Sequence, residues 1–281
     1  MGFIVILQVI LLGIIEGITE WLPISSTGHM LLFDSFWPLK NVTEDFKSMF
    51  FVVIQLGAIL AVVVLFWKKL FPFRFKEKPV VQKDIFSLWG KVLVACLPAA
   101  IIGIPLDDVL EKYLHTPLVV SLMLIIYGIA FILVENRNKK REFRIQTTHE
   151  IDYKTAIIIG AFQVLSLIPG TSRSGATILG ALLVGVARPA AAEFTFFLAV
   201  PVMIGASGFK MLKFFIGGGV LGGTEILVLL LGSAVAFIVS LVVIKFLMNF
   251  VKRHNFKPFG WYRIALGALV ILSLVIPQLT A

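Results

Sequence analysis

Apolar residues follow one another in long runs along this chain, with little of the alternation that a half-buried strand shows. Runs of roughly 20 apolar residues are long enough to cross ~30 Å of hydrocarbon as helices. The pattern therefore predicts an all-α polytopic membrane protein with six transmembrane helices. The predicted spans are 50–67, 88–106, 117–135, 190–210, 225–246 and 261–279.

Two further apolar stretches, 1–36 and 155–187, are each interrupted in the middle by proline, glycine and hydroxyl residues. The interruptions are LPISSTGH in the first stretch and IPGTSRSGAT in the second. Each half of a stretch has only about a dozen apolar residues, which is short for a span. We therefore predict two re-entrant helical hairpins, with two full crossings as the alternative for the second stretch.

The two interrupted stretches resemble each other, and each is followed by three predicted spans. The chain is therefore predicted to be a single membrane domain, 1–281, whose halves, 1–135 and 155–281, form an inverted-topology repeat. Such repeats place a site near the membrane midplane, where broken helices meet. With one residue of slippage, the residues that recur are Gly13, Glu16, Pro23 and Ser26, as Gly160, Gln163, Pro169 and Ser172.

Composition supports a membrane protein, because 59% of the 281 residues are hydrophobic and only 15% are charged. The mean hydropathy is +0.99. A net charge of +9 by itself would suggest a nucleic-acid partner. However, 18 of the 25 Lys and Arg residues fall in the segments 68–91, 136–154 and 245–263. This distribution is typical of cytoplasmic loops under the positive-inside rule, so we expect no nucleic acid.

Two carboxylates occur within the first interrupted stretch. Glu16 and Glu20 are four residues apart and therefore lie on one face of the first helical arm. Ionisable groups at membrane depth are costly, so such a pair needs a cation nearby. A divalent metal ion, Mg²⁺ or Ca²⁺, is the natural candidate. Alternatively, one carboxylate bonds within the bundle while the other reaches the interface.

A group of hydroxyl residues and one histidine follows Pro23. Hydroxyls next to an imidazole suit nucleophilic attack or general acid–base catalysis. Serine and threonine before a helix are more often N-caps, and we favour that interpretation for two of these residues. A lone histidine is equally compatible with a helix-end position. The group consists of Ser25, Ser26, Thr27 and His29, and the two favoured caps are Ser25 and Thr27.

The second interrupted stretch supplies an arginine. Arg173 lies between Ser172 and Ser174 in a glycine-bounded turn that opens a helix. Backbone N–H groups at a helix N-terminus, hydroxyls and a guanidinium together form a phosphate cradle. An arginine that only neutralises Glu16 or Glu20 is the alternative. The combined set indicates metal-assisted phosphoryl transfer on a phosphate ester or anhydride with a lipid tail.

The segments EGITEWLPISSTGH and PGTSRSGAT resemble the two signature motifs of bacterial undecaprenyl-diphosphate phosphatases of the bacitracin-resistance type. The similarity extends over the whole chain, including its length and the order of spans. It implies hydrolysis of undecaprenyl diphosphate to the monophosphate and inorganic phosphate, which recycles the carrier lipid of cell-wall synthesis. It also implies a bacterial cytoplasmic membrane protein with its site open to the outer face.

The resemblance also implies roles for individual residues. Ser26 corresponds to the proposed nucleophile, His29 to its base and Arg173 to the phosphate-binding arginine. Two mechanisms stay open: attack by Ser26 with His29 taking its proton, or direct attack by water. The family's glutamates correspond to Glu16 and Glu20, and the candidate substrate-binding set is Arg173, Ser172, Ser174, Thr177, Ser25 and Thr27.

A secondary transporter or flippase for a lipid phosphate or other anion is the main alternative function. Paired broken helices and a deep arginine are common to both classes. The hydroxyl–histidine loop favours an enzyme, because transport needs neither a nucleophile nor a base. A scaffolding role does not explain why ionisable residues converge in both interruptions.

Expected partners are the polyprenyl diphosphate and membrane lipids, and a homodimer is compatible with such a bundle. Gln163, which matches Glu16 in the repeat, is a further candidate contact with the site.

Overall fold

The computed structural model describes residues 2–39, 42–74 and 80–280, with the backbone alone at 111, 140 and 275–280. Parts of the predicted outer loop (40–41) and of the first basic segment (75–79) lie outside these residues. The described residues form helices and two isolated β-bridges, without a strand, which confirms the all-α class. The α-helices are α1 (Phe3–Thr19), α2 (Ser26–Phe36), α3 (Glu44–Val53), α4 (Gln55–Leu65), α5 (Trp67–Leu70), α6 (Lys83–Leu114), α7 (Pro117–Arg137), α8 (Tyr153–Val164), α9 (Arg173–Val184), α10 (Arg188–Ile216), α11 (Gly223–Phe250) and α12 (Lys257–Thr280).

Within the described residues, five helical segments are long and apolar enough to cross a membrane, and they coincide with the first five predicted spans. Four of the five begin earlier than the predicted apolar runs, whereas Pro117–Arg137 begins at the predicted residue; polar residues extend and cap the N-termini. Thr43, for example, accepts a hydrogen bond from the N–H of Phe46 at 3.2 Å. The sixth predicted span, 261–279, falls on α12 and stays a prediction. The five are Glu44–Leu65, Lys83–Leu110, Pro117–Arg137, Arg188–Ile216 and Gly223–Phe250.

Each interrupted stretch forms two short helices joined by a turn: α1 and α2 in the first, α8 and α9 in the second. At about 1.5 Å per residue, the 17 residues of α1 span about 25 Å. The 11 to 12 residues of α2, α8 and α9 span about 16 to 18 Å each. Each arm is therefore shorter than the ~30 Å hydrocarbon core.

The first arm of each hairpin packs against a helix from the other half of the chain. Helix α1 packs along α11, and α8 packs along α6. Both contacts need glycine: a Cβ on Gly13 would lie 2.9 Å from the carbonyl oxygen of Gly232, and one on Gly160 would lie 2.3 Å from that of Ala95. These close approaches, together with the pairing of α7 with α12, bring the two interruptions into the protein interior.

The core between the two hairpins is built from α9 and the first half of α10, where almost every side chain is buried. Trp21, at the end of the first arm, is fully buried and packs edge-on against Phe196, with ring centroids 5.1 Å apart. In a core packed this closely there are few voids, so the side chains have little room to move. It gives the polar residues of both turns a rigid support.

Candidate active site

Two serines with an unusual backbone conformation mark the starts of α2 and α9. Ser25 has φ +77° and Ser172 has φ +73°, and among the described residues these are the positive φ angles outside glycine. Each hydroxyl accepts a hydrogen bond from a glycine N–H three residues later, Gly28 at 3.3 Å and Gly175 at 3.1 Å. The same strained N-cap therefore occurs once in each hairpin.

The two caps correct the predicted correspondence between the hairpins. They lie 147 residues apart, the same spacing that separates Gly13 from Gly160. No slippage is needed, so the pairing of Ser26 with Ser172 is wrong. Ser25 is equivalent to Ser172, and Ser26 to Arg173. The error came from aligning the two prolines, which occupy different positions of the turn.

One carboxylate joins the two hairpins. Oε2 of Glu20 accepts a hydrogen bond from the Ser26 hydroxyl at 2.5 Å, and Oε1 forms an ion pair with Nη2 of Arg173 at 3.0 Å. Nη1 of the same arginine donates to the carbonyl oxygen of Thr195 on α10 at 2.8 Å. Short O–H···O⁻ and guanidinium–carboxylate bonds are the strong, charge-assisted kind. The predicted meeting of Glu20, Ser26 and Arg173 is therefore present in the structure.

Glu16, one turn before Glu20, is fully buried. Neither of its carboxylate oxygens has a hydrogen-bond partner among the described residues. Gln163, the equivalent residue of the second hairpin, is 1% exposed, and its amide oxygen and nitrogen also lack partners there. Buried polar groups are normally paired, so unpaired ones indicate a ligand, an ion or water.

Two further hydroxyl residues of the second motif, Ser174 and Thr177, bind protein groups in this structure. Ser174 donates to the carbonyl oxygen of Glu20 at 3.0 Å and lies 3.1 Å from the hydroxyl of Ser172. The Thr177 hydroxyl lies 2.9 Å from that of Thr195 and donates to the carbonyl of Arg173. These two residues therefore fasten α9 to the first hairpin and to α10.

The imidazole of His29 forms its hydrogen bonds with groups other than the Ser26 hydroxyl. Its Nδ1 lies 2.7 Å from the carbonyl oxygen of Ser25, and its Nε2 lies 2.8 Å from the hydroxyl of Tyr262, whose ring stacks on the imidazole. The hydroxyl of Ser26 is bonded to Glu20 instead. The cap interpretation is confirmed for Ser25 and wrong for Thr27, which occupies the first turn of α2.

Sequence reasoning missed Arg263 on α12. It was grouped with the basic segment 245–263, yet the side chain is fully buried. Its guanidinium lies within hydrogen-bond distance of five carbonyl oxygens, from both hairpin turns and from α7. The available signal was its position among apolar residues in WYRIALGALV. The acceptors are Pro23 (3.0 Å), Gly170 (2.8 Å), Thr171 (3.0 Å), Met123 (3.3 Å) and Leu124 (3.4 Å).

Groups that recognise phosphate lie around the contact of Glu20 with Ser26 and Arg173. Helices α2 and α9 both begin here, and the N-terminus of a helix presents free N–H groups and a partial positive charge. Arg173 adds a guanidinium on a side chain that is 10% exposed, and Ser26 adds a hydroxyl held by a carboxylate. Together they can bind phosphoryl oxygens and present an activated nucleophile to phosphorus.

The two glutamates are the residues that could hold a metal ion. They are a pair, and nowhere in the described part of the chain are three or more His, Cys, Asp or Glu side chains grouped around a possible ion position. Mg²⁺ commonly uses one or two protein carboxylates and completes its shell with water and substrate phosphates. The unpaired oxygens of Glu16 therefore fit an ion shared with a bound diphosphate.

Comparison with known proteins identifies the family. The family model "Bacitracin resistance protein BacA" matches residues 9–269. The chain belongs to this family. An "Undecaprenyl-diphosphatase" of Enterococcus faecalis is 66% identical, over 97% of this chain and 98% of the relative. Proteins of the same name from Acetivibrio thermocellus (56% identical, 95% of this chain and 97% of the relative) and Streptococcus gordonii (54% identical, 100% of both) are also similar.

The BacA family match covers the whole candidate site. Both motif segments, EGITEWLPISSTGH and PGTSRSGAT, lie within residues 9–269, and so do Tyr262 and Arg263. The resemblance seen in the sequence is therefore confirmed. In this BacA family member, the site comprises two hairpin turns together with residues from α7, α10 and α12.

Proposed function

We propose that this chain hydrolyses undecaprenyl diphosphate to undecaprenyl phosphate and inorganic phosphate, recycling the carrier lipid for cell-wall synthesis. Relatives that are 54–66% identical over nearly the whole chain bear the name Undecaprenyl-diphosphatase. The structural observation that carries the proposal is the Glu20 carboxylate, which accepts hydrogen bonds from both Ser26 and Arg173. A base, a nucleophile and an anion-binding group meet in this contact.

The first step is an exchange of partners at Glu20. The terminal phosphoryl oxygens of the diphosphate take the place of the carboxylate on Arg173, assisted by the N–H groups at the starts of α2 and α9. Glu20, released from the guanidinium, becomes a stronger acceptor for the proton of Ser26. The ion pair thus holds the nucleophile and the anion-binding group together until substrate binds.

In the chemical step, Oγ of Ser26 attacks the terminal phosphorus while its proton passes to Glu20. The new Oγ–P bond forms as the bond from phosphorus to the bridging oxygen breaks, and that electron pair leaves with undecaprenyl phosphate. Water then attacks the phosphoserine, releasing inorganic phosphate and restoring the Ser26 hydroxyl. Direct attack by water on the diphosphate gives the same products, and trapping of a phosphoserine separates the two routes.

His29 supports the position of Ser26 indirectly, by bonding to the backbone of the first turn. Its contact with the Ser25 carbonyl holds the strained cap next to Ser26, while Tyr262 fixes the imidazole ring. A role as the base of Ser26 would require the imidazole to leave both partners. We therefore assign the proton of Ser26 to Glu20.

Glu16 and Glu20 would hold a divalent cation, Mg²⁺ or Ca²⁺. Such an ion neutralises charge on the diphosphate and on the leaving phosphate. Support comes from the unpaired oxygens of Glu16 and from its position one turn before Glu20.

The chain is a multi-pass membrane protein. We place it in the bacterial cytoplasmic membrane, with the basic segments inside and the site open to the outer side. The short arms support re-entrant hairpins, and the matching caps 147 residues apart support an inverted repeat. A site at the meeting of two such hairpins is reached by a lipid headgroup while its tail stays in the bilayer.

The test is phosphate release from undecaprenyl diphosphate by purified protein in detergent, with and without EDTA. Arg173→Ala, Glu20→Ala and Ser26→Ala are compared with wild type, and Ser35→Ala serves as a matched control on the same helix. We expect EDTA-sensitive release that the three site variants abolish and the control retains. If wild type binds the lipid without releasing phosphate under any metal, the proposal fails, and transport in liposomes becomes the activity to measure.

A further inference from the structure

Arg263 is a buried cation surrounded by main-chain carbonyl oxygens. Its side chain is fully buried, and within the described part of the chain it makes no salt bridge. Burying a charge is costly unless hydrogen bonds and dipoles compensate for it. Here main-chain carbonyl oxygens provide the compensation, and the ring of Tyr127 lies 5.5 Å from the guanidinium carbon. The buried charge is compensated only while these carbonyl oxygens stay within hydrogen-bond distance of the guanidinium.

Two of these carbonyls occupy equivalent positions of the two hairpins. Nη1 of Arg263 donates to Pro23 at 3.0 Å, and Nη2 donates to Gly170 at 2.8 Å. Pro23 and Gly170 are 147 residues apart, as are the capping serines. One planar guanidinium therefore bonds to the same point of both turns. Its rigid fork fixes the distance between them, which the single nitrogen of lysine would not do.

A third carbonyl connects Arg263 to the backbone that forms the second turn. Nη2 lies 3.0 Å from the carbonyl oxygen of Thr171, directly before the strained cap Ser172. In a trans peptide the C=O and the following N–H point in opposite directions. Holding the Thr171 oxygen therefore directs the N–H of Ser172 away from Arg263. A non-glycine residue at positive φ persists only when its surroundings hold it there.

We infer that Arg263 is the positioning residue that sets the spacing of the two hairpin turns, so that Ser26 and Arg173 reach the same carboxylate. It acts through the main chain of both turns and does not touch the reacting atoms. The inference rests on the proposed function for its catalytic consequence. The spacing itself can be measured without activity.

The test combines Arg263→Gln and Arg263→Lys with a matched control, Arg188→Gln. Arg188 also anchors helices through its guanidinium, which pairs with Glu135 near the C-terminal end of α7, whereas Arg263 bonds to carbonyls nearer the N-terminal end of that helix. Hydrogen–deuterium exchange of the full chain in detergent follows the segments 22–28 and 169–176. Kinetics with undecaprenyl diphosphate follow kcat and KM separately. Arg263→Lys keeps the charge and provides a milder variant if Arg263→Gln does not fold.

Both Arg263 variants should exchange faster in both segments, although these lie in different halves of the chain and neither contains residue 263. We expect kcat to fall about 100-fold, with a much smaller change in KM, because a displacement of about 1 Å at a reacting group has that effect. Arg188→Gln should unfold at a lower temperature yet keep slow exchange in both segments and wild-type kcat.

Unchanged exchange in either segment of the Arg263 variants would overturn the inference, as would equal exchange changes in Arg188→Gln. Wild-type kcat in Arg263→Lys would overturn it as well. If wild type released no phosphate, the proposed function would fail, while the exchange comparison would still decide whether Arg263 sets the spacing of the turns.

Discussion

The two hairpin turns end in the same strained serine cap and carry different side chains after it. Each begins its second helix with a serine at positive φ that caps a glycine N–H. The next residue is Ser26 in the first hairpin and Arg173 in the second, and both bond to Glu20. In the mechanism proposed above, the same cap geometry presents a nucleophile from one side and an anion-binding group from the other. The asymmetry of that mechanism comes from the different side chains that follow the two caps.

The difference continues along both arms. Glu16 of the first arm is matched by the neutral Gln163, and His29 after the first turn is matched by Ala176. Acidic and titratable groups are thus concentrated in the first hairpin, while the second contributes Arg173. In the proposed mechanism, a phosphate bound between them meets positive charge from one hairpin and the reacting hydroxyl from the other. The predictions below address this division of roles.

The largest effects are expected from substitutions of Ser26 and Arg173, and the two should differ in whether binding is lost together with kcat. Ser26→Ala should lower kcat at least about 10³-fold and leave binding of the lipid diphosphate nearly unchanged, because it removes the nucleophile alone. Arg173→Ala should weaken binding as well as lower the rate by about 10² to 10³, since it removes charge from the phosphate. Calorimetric binding and single-turnover rates distinguish the two. Loss of binding in Ser26→Ala would contradict the division of roles.

A second effect concerns the metal. Glu16→Gln makes the hairpins alike at this position, and it should raise the Mg²⁺ concentration for half-maximal rate by about tenfold or more, because a charged ligand is lost. Gln163→Leu, the matched change in the other hairpin, should leave that concentration unchanged. Rates measured across a Mg²⁺ titration check both. Equal responses of the two variants would mean that Glu16 does not hold the ion.

A smaller effect is expected from the contact between His29 and Tyr262, because the second hairpin has Ala176 where the first has His29. Tyr262→Phe removes the hydroxyl next to His29 and should lower kcat about fivefold, the value of one lost hydrogen bond of about 1 kcal/mol. Tyr113→Phe, an exposed tyrosine on α6, provides the control and should be neutral. His29→Gln should cost more than Tyr262→Phe, because it also releases the Ser25 carbonyl. The reverse order would place the tyrosine hydroxyl, not the imidazole, next to the chemistry.

The smallest effects are expected from the two capping serines, which are the feature that both hairpins share. Ser25→Ala and Ser172→Ala should each reduce the free energy of unfolding by about 1 kcal/mol, because each removes an N-cap. Ser25→Gly and Ser172→Gly should cost only a few tenths, since glycine accepts positive φ without strain. Thermal unfolding in detergent measures all four. Clearly different losses for the two serines would show that the turns are not equivalent in energy.

Much of this arrangement was predictable because the signals are local. The apolar runs located five spans, and helical periodicity placed Glu16 of α1 one turn before Glu20, the C-cap of that helix. Pro23 and the hydroxyls after it predicted the break and the start of α2. Arg173 was recognisable as the basic residue inside an interrupted stretch. These conclusions need only the spacing of a few neighbouring residues and the cost of burying polar groups.

Other features required the fold. Arg263 has the sequence context of a basic loop end, and only the packing of α12 against α7 and the turns places it in the interior. The partner of His29 lies 233 residues away, on α12. The equivalence of Ser25 with Ser172 depends on backbone angles, which the prolines in the sequence obscured. Each of these contacts joins distant segments, and hydropathy contains no information about them.

The sequence by itself determined the class of molecule, the places where helices break and the residue types that carry the chemistry. Hydrophobicity, helix-breaking residues and the cost of buried charge act locally, so they can be recognised in a linear pattern. Only the tertiary structure decided that Glu20 accepts from both Ser26 and Arg173 and that Arg263 joins the two turns. It also decided that the buried Glu16 carboxylate has no hydrogen-bond partner among the described residues. Those outcomes depend on distances between helices, and close packing of α1 on α11 and α8 on α6 sets such distances.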